Sequence, residues 1–322
     1  MARGILWCTH CGSPHDLDTK VCPATGKSLE RGIHKPQSPP KTHPLIGQTI
    51  AGRYKITRLL GAGGMGEVLE AENILLRRQV AIKVVRAERD GPEGIERLQR
   101  EAQFVAAIQH PNICDVLDVG TLPSGQPYLV LERLYGETLA EHLKRTPQLA
   151  IGVAADLISQ VLSGLHAAHG TGIVHRDLKP ANIYLLDRLG LTPLVKLVDF
   201  GLAKDLTGSR ATMTKPGKVV GTPSYMAPEQ LAGEPLDRRC DVFAVGVILY
   251  EALTGRHPFR GASNADTTVA VLREEPTSMR LIRKQIPVSL EVVVGRALAK
   301  KRDRRWPTAF DFQRALVASV QG

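Results

Sequence analysis

The chain reads as an α+β protein in two unequal parts, a strand-rich first part with one helix and a helix-rich second part. Three observations predict this. Tyr54 to Leu60, Glu67 to Ala71 and Gln79 to Val85 are short strand-like runs, the first two separated by a glycine-rich turn. Residues 93–108 then carry Ile95, Leu98, Ala102, Val105 and Ile108 at helical spacing. From Leu139 onward helical patterns dominate, over 150–169, 240–254, 288–299 and 308–320, and no internal repeat is present.

The remaining elements follow in order. Short strands are expected near Ile113–Val119 and Tyr128–Leu131, and a strand pair near Ile183–Leu186 and Val195–Val198. Ahead of the patterned body, Lys35 to Pro44 holds four prolines in ten residues. Such a stretch sustains neither helix nor central strand, so residues 35–44 are a linker. This divides the chain into a head at 1–34, the linker, and a body at 45–322, itself split into parts of about 45–133 and 134–322.

The head places Cys8 and Cys11 two residues apart and follows them with Cys22. A segment this short cannot bury enough apolar surface alone, so a metal or a partner must help it fold. The paired cysteines fit half of a tetrahedral zinc site, but Thr25 stands where a fourth cysteine would fall. His10, His15 or His34 could complete a structural Zn2+ set; a metal-free arm is the alternative. Cys114 and Cys240 lie in apolar surroundings and are expected to be buried thiols.

Composition sets further bounds. Hydrophobic residues make up 43% and charged residues 23%, which excludes a disordered or collagen-like chain. No stretch reaches the roughly 18 consecutive apolar residues of a spanning helix. The longest candidate, Val242 to Leu253, is short and contains Glu251. The first residues lack the apolar core of a secretory signal, so a cytoplasmic location is expected and a disulfide framework is not. Of the net charge of +10, +9 sits at the two ends, +4 in residues 1–53 and +5 in residues 296–314. A near-neutral middle argues for solvated surface over a nucleic-acid partner.

Three groups of residues carry chemistry. Gly61, Ala62, Gly63, Gly64, Met65 and Gly66 lead into Glu67 and Val68. Glycines let backbone approach phosphate closely, although a tight hairpin turn would use them equally well. Because they lead into a strand and open no helix, a Rossmann reading is disfavoured. In Val80-Ala81-Ile82-Lys83, a lysine within an apolar strand is costly to bury unless paired, and Glu101 on the following helix offers a carboxylate. The strongest signal is His175-Arg176-Asp177-Leu178-Lys179-Pro180-Ala181-Asn182 followed by Asp199-Phe200-Gly201. Phosphoryl transfer from a magnesium nucleotide needs these types: a carboxylate to orient the attacking hydroxyl, a cation for the γ-phosphate, and an amide oxygen and second carboxylate for the metal.

With Ala227-Pro228-Glu229 completing the order, the chain resembles the protein kinases from about Leu45 to Ala318. Lys179 is similar to the serine/threonine class. Arg100-Glu101-Ala102, His110 to Ile113 and Gly221 to Gln230 are similar to the bacterial Hanks-type, eukaryotic-like branch, which works in signal transduction. The resemblance implies a bilobal fold, an antiparallel β-sheet N-lobe with one helix (about 45–133) and a mainly helical C-lobe (about 134–322). It implies ATP and Mg2+ (or Mn2+) as cofactors, and proteins with Ser/Thr acceptors as partners.

Residue by residue, the resemblance puts ATP against Gly61 to Gly66, Val68, Ala81 and gatekeeper Leu131, with Glu132 to Leu134 as the hinge. Lys83, paired with Glu101, would hold the α/β-phosphates. Asp177 would be the base, Lys179 the γ-phosphate contact, and Asn182 and Asp199 the metal ligands. His175 would be structural, packing near Phe200. Thr222 would sit in the peptide loop, Asp241 would anchor the catalytic-loop backbone, and Glu229 would pair with Arg305. Arg176 would receive an activation-loop phosphate, with Thr212 and Thr214 the better placed acceptors beside Thr207 and Ser209, and self-association would serve trans-autophosphorylation. A pseudokinase is disfavoured because every catalytic position is filled. The departures are a lengthened segment from Asp187 to Pro193, expected to extend a hairpin, and Arg302 where relatives commonly carry proline.

Overall fold

The computed structural model describes residues 5–7, 14–16, 21–22, 43–63, 66–85, 96, 100, 102–187, 192–200 and 223–321. In the head, β1 (Ile5–Trp7) and β2 (Pro14–Asp16) form an antiparallel hairpin with Leu6 opposite His15, an element that the cysteine spacing did not announce. Cys8 and Cys11, with His10 and His34, lie outside the described residues; Cys22 is buried. Among the described residues, no three His, Cys, Asp or Glu side chains gather as a metal set.

The N-lobe is a six-stranded antiparallel sheet built from β3 (Thr49–Ile50), β4 (Tyr54–Gly63), β5 (Gly66–Asn73), β6 (Arg78–Val85), β7 (Val116–Thr121) and β8 (Pro127–Glu132). The strand order is β3-β4-β5-β6-β8-β7. Alternation sets its inner face: Tyr54 and Ile56 are buried on either side of exposed Lys55, and Leu69, Val80, Ile82 and Val130 complete the core. Between β6 and β7, residues 102–106 are helical, as the spacing predicted, and bury Ala102 and Val105.

The C-lobe forms around helix Arg239–Thr254, whose residues are buried on nearly every side. Gly246 makes this possible, because a Cβ there would lie 2.9 Å from the Ala297 methyl on helix Val288–Ala297. Gly255 ends the helix in the left-handed conformation, φ +70°, and donates its N–H to Glu251 O. Helix Leu139–Arg145 starts on a reciprocal Thr138/Glu141 cap. Helix Ile151–Gly170 is 20 residues long and apolar enough to cross a bilayer by length and composition, although Asp156, Gln160 and His166 interrupt its apolar run. Leu157, Val161, Leu162 and Leu165 on it are buried in the lobe's core, which accounts for its composition.

A small sheet lies below the cleft between the lobes. There β9 (Glu137–Thr138) pairs with β10 (Ile183–Leu186), which pairs with β11 (Leu194–Leu197), Ile183 opposite Leu197. The long Asp187–Pro193 segment thus joins the two strands of a hairpin, with 188–191 outside the described residues. Within the basic stretch at 296–314, Arg305 is buried, Lys300 Nζ donates to Val271 O at 2.8 Å and Arg302 Nη1 donates to Pro235 O at 2.7 Å, while Arg296, Lys301, Arg304 and Arg314 are exposed.

Candidate active site

The roof of the cleft is the β4–β5 hairpin. A Cβ at Gly61 or Gly63 would meet nothing within 4 Å, so both face open space. Gly66 is required for a different reason: its φ is +146°, and a Cβ would lie 2.1 Å from Val84 O. Gly64 and Met65 lie outside the described residues. Lys83 sits opposite Val68 on one side and Leu129 on the other, and Ala81 lies opposite Leu131. The Lys83 ammonium meets Asp199 Oδ1 at 2.6 Å across the cleft. Its expected partner Glu101 lies outside the described residues. Leu134 is buried at the hinge, and behind Leu131 a recess opens between Lys83, Cys114, Leu129, Asp199 and Phe200.

The floor is held by Asp241, 1% exposed at the start of helix Arg239–Thr254. Its Oδ2 accepts the backbone N–H of His175 at 2.8 Å and His169 Nε2 at 2.8 Å, and its Oδ1 accepts the N–H of Arg176 at 2.9 Å. Burial opposes ionisation here, but the histidine and backbone hydrogen bonds outweigh it and hold the carboxyl below its ordinary value. Arg176 consequently rests at φ +61°, a conformation unfavourable for a side-chain-bearing residue. Its neighbours over-determine it: Asp241 takes its N–H, and Gln230 Nε2 donates to its carbonyl at 2.8 Å.

His175 is fully buried, and burial pushes its pKa down. Nε2 donates to Val198 O at 3.0 Å, and the ring packs 4.7 Å from Phe200, centroid to centroid. A neutral ring so placed braces the loop and does not exchange protons with the cleft. Lys179 Nζ lies 2.9 Å from Asp177 Oδ2, and Asn182 Nδ2 donates to Asp177 O at 2.8 Å. That bond turns the Asn182 amide so that its oxygen is the end left for a cation. Asp199 is held at φ +60° at the cleft face. One carboxylate and one amide oxygen suit a hard divalent cation, and the open glycine hairpin suits a nucleotide's phosphates, so the residues fit both cofactors.

Thr212, Thr214 and Thr222 lie outside the described residues, as does all of 201–222. Glu229 and Arg305 meet as expected, Nη1–Oε1 and Nη2–Oε2 both at 2.7 Å, and Arg305 also donates to Ala299 O, Lys300 O and Arg239 O. Sequence reasoning missed three groups: His169, Gln230 and Lys196. The last reaches Glu132 Oε1 at 2.5 Å. A lysine inside the apolar run Leu194–Leu197 is the same signal that drew notice to Lys83, and it would have found Lys196.

The protein kinase domain family model matches residues 54–313. The serine/threonine-protein kinase Pkn1 of Myxococcus xanthus is 40% identical over 319 residues, 97% of this chain and 45% of Pkn1. The serine/threonine-protein kinase PrkC of Bacillus subtilis is 38% identical over 270 residues, 84% of this chain and 41% of PrkC. The chain therefore spans about half the length of the curated relatives it matches. Among solved structures, the Mycobacterium tuberculosis PknI kinase domain superposes with a TM-score of 0.68 at 28% identity, covering 87% of this chain and 100% of that one. A glycine hairpin over a cross-lobe lysine, an Asp177–Lys179–Asn182 floor and these matches lead to one conclusion: this chain belongs to the protein kinase domain family.

Proposed function

We propose that the chain transfers the γ-phosphoryl group of ATP to serine or threonine hydroxyls of proteins. One observation carries the reading: Asp177 and Lys179, 2.9 Å apart, open onto the same cleft as Asn182 and the Lys83–Asp199 pair at 2.6 Å. ATP with Mg2+ (or Mn2+), when bound, supplies the phosphoryl group and neutralises its charge. Asn182 Oδ1 and Asp199 would hold the metal, and Lys83 would contact the phosphate oxygens. Asp177 orients the acceptor hydroxyl and accepts its proton, and Lys179 faces the γ-phosphate. Ala81, Val68 and Leu131 would line the base, and Glu132 to Leu134 would meet its edge.

Arg176 with an activation-loop phosphate on Thr212 or Thr214 is the regulatory part of this reading, reached by self-association of two copies, and Thr222 is its peptide-loop contact. For the head, structural zinc on Cys8, Cys11 and Cys22 with one histidine rests on cysteine spacing. The site of action is the cytoplasm, where ATP is supplied. The test is transfer of label from γ-labelled ATP, with Mg2+, to a generic basic protein acceptor and to the chain itself. Label on acceptor serine or threonine and phosphate on peptides from 205–218 are the expected results. Absence of transfer from a folded, nucleotide-binding preparation overturns the activity.

A further inference from the structure

Two consecutive hinge residues send their charges in opposite directions. Glu132 turns toward the C-lobe, where Oε1 accepts Lys196 Nζ at 2.5 Å and the Asp115 N–H at 2.9 Å. Arg133 turns back to the sheet, where Nε donates to Glu70 Oε1 at 2.7 Å and the guanidinium lies over the Tyr135 ring at 4.7 Å. Arg58, on the strand that enters the glycine hairpin, completes the cluster. Its Nε donates to Glu70 Oε2 at 2.6 Å and its Nη2 to Oε1 at 3.0 Å.

The register puts Glu70 on the cleft side of the sheet. It lies opposite Ala81, which lies opposite Leu131, and it is two residues from Val68, which lies opposite Lys83. Directly paired residues and residues two apart share a face, and the Lys83 ammonium on that face reaches Asp199. Glu70 is only 8% exposed. Burial works against its charge, yet the bonds from Arg58 and Arg133 hold its carboxyl below the usual range. Arg58 alone, a neighbour in the same hairpin, would neutralise it. The Arg133 arm does something else: it fastens the segment joining the lobes to the strand leaving the glycine hairpin.

We propose that Glu70, gripped between Arg58 and Arg133, is a positioning residue for the nucleotide. It sets the spacing between the glycine hairpin and the hinge, and so the height of the slot between them. This rests on the nucleotide reading of the cleft given above.

The test is calorimetric titration of MgADP into the full chain, using wild type, Glu70→Gln, Arg133→Gln and the double variant, with thermal unfolding of each. Each single variant is expected to weaken MgADP binding about tenfold, a coupling typical of groups in one network, and the double no further than the worse single. Glu70→Gln adds positive charge and Arg133→Gln removes it, so simple attraction for an anionic ligand would move the two affinities in opposite directions. Opposite shifts, an unchanged affinity in either single, or losses that add in the double overturn the proposal. A weakened affinity accompanied by reduced binding stoichiometry and early unfolding also overturns it, since a fold defect then suffices. If the wild-type chain takes up no MgADP, the nucleotide reading fails first and the clamp fails with it.

Discussion

The interior of the C-lobe and the cleft handle charge in contrasting ways. In the C-lobe, Asp241 is 1% exposed and Arg305 1%, and each is surrounded by partners that fill its hydrogen-bonding capacity. In the cleft wall the Lys83 ammonium meets an Asp199 carboxylate whose side chain is 33% exposed. Buried charge that is fully satisfied holds backbone in place and has no reason to change partner. Charge left at an open face can trade one partner for a phosphate or a metal. The contrast separates the residues that shape the site from those that act in it.

The largest expected effect tests that separation at the floor of the cleft. With Asp177 in the proposed role of base, Asp177→Asn should lower the initial rate of phosphoryl transfer by about 10²–10⁴ while thermal unfolding stays within a degree or so of wild type. A large loss of stability in that variant would break the comparison. Next comes the buried pair. Arg305→Met leaves Glu229 ionised and unpartnered in the interior, a loss of about 3–5 kcal/mol in urea unfolding, whereas adding Glu229→Gln to it should recover much of that loss. The smallest effect concerns acid. His257, against Tyr225 at 5.2 Å, is pushed by burial down to about 4. The unfolded chain takes up that proton near pH 6.5 and the folded chain refuses it, so the stabilisation is complete above pH 6.5 and is lost as pH falls toward 4. The loss is on the order of 3 kcal/mol. Denaturant unfolding from pH 7 to 4.5 should fall less steeply in His257→Asn, which can keep an acceptor for the Phe259 N–H that now bonds Nδ1 at 3.1 Å.

How much of this was readable in the residues depended on distance along the chain. Strands such as Gln79–Val85 and helices such as 240–254 announce themselves through local periodicity, and the structure sets them at Arg78–Val85 and Arg239–Thr254. The catalytic segment was legible because Asp177, Lys179 and Asn182 lie within six residues, a spacing whose chemistry can be reasoned directly. The Arg58–Glu70–Arg133 cluster was not, since 63 residues separate Glu70 from Arg133 and each is an ordinary charged residue in its own surroundings. The same holds for His169, which reads as the end of an amphipathic helix until Asp241, 72 positions later, folds onto it. Helices Asn264–Arg273 and Met279–Ile282 escaped notice because they are short and half polar, so period alone could not separate them from loops.

The Glu229–Arg305 bridge has a consequence for the chain while it is being made. Seventy-six positions separate the two residues, so at about 5–20 residues per second the carboxylate is polymerised about 4–15 seconds before its guanidinium. During that interval the apolar helix Arg239–Thr254 is made but cannot be sealed. Translation itself therefore imposes a waiting period, and slowing the ribosome between codons 240 and 305 would lengthen it.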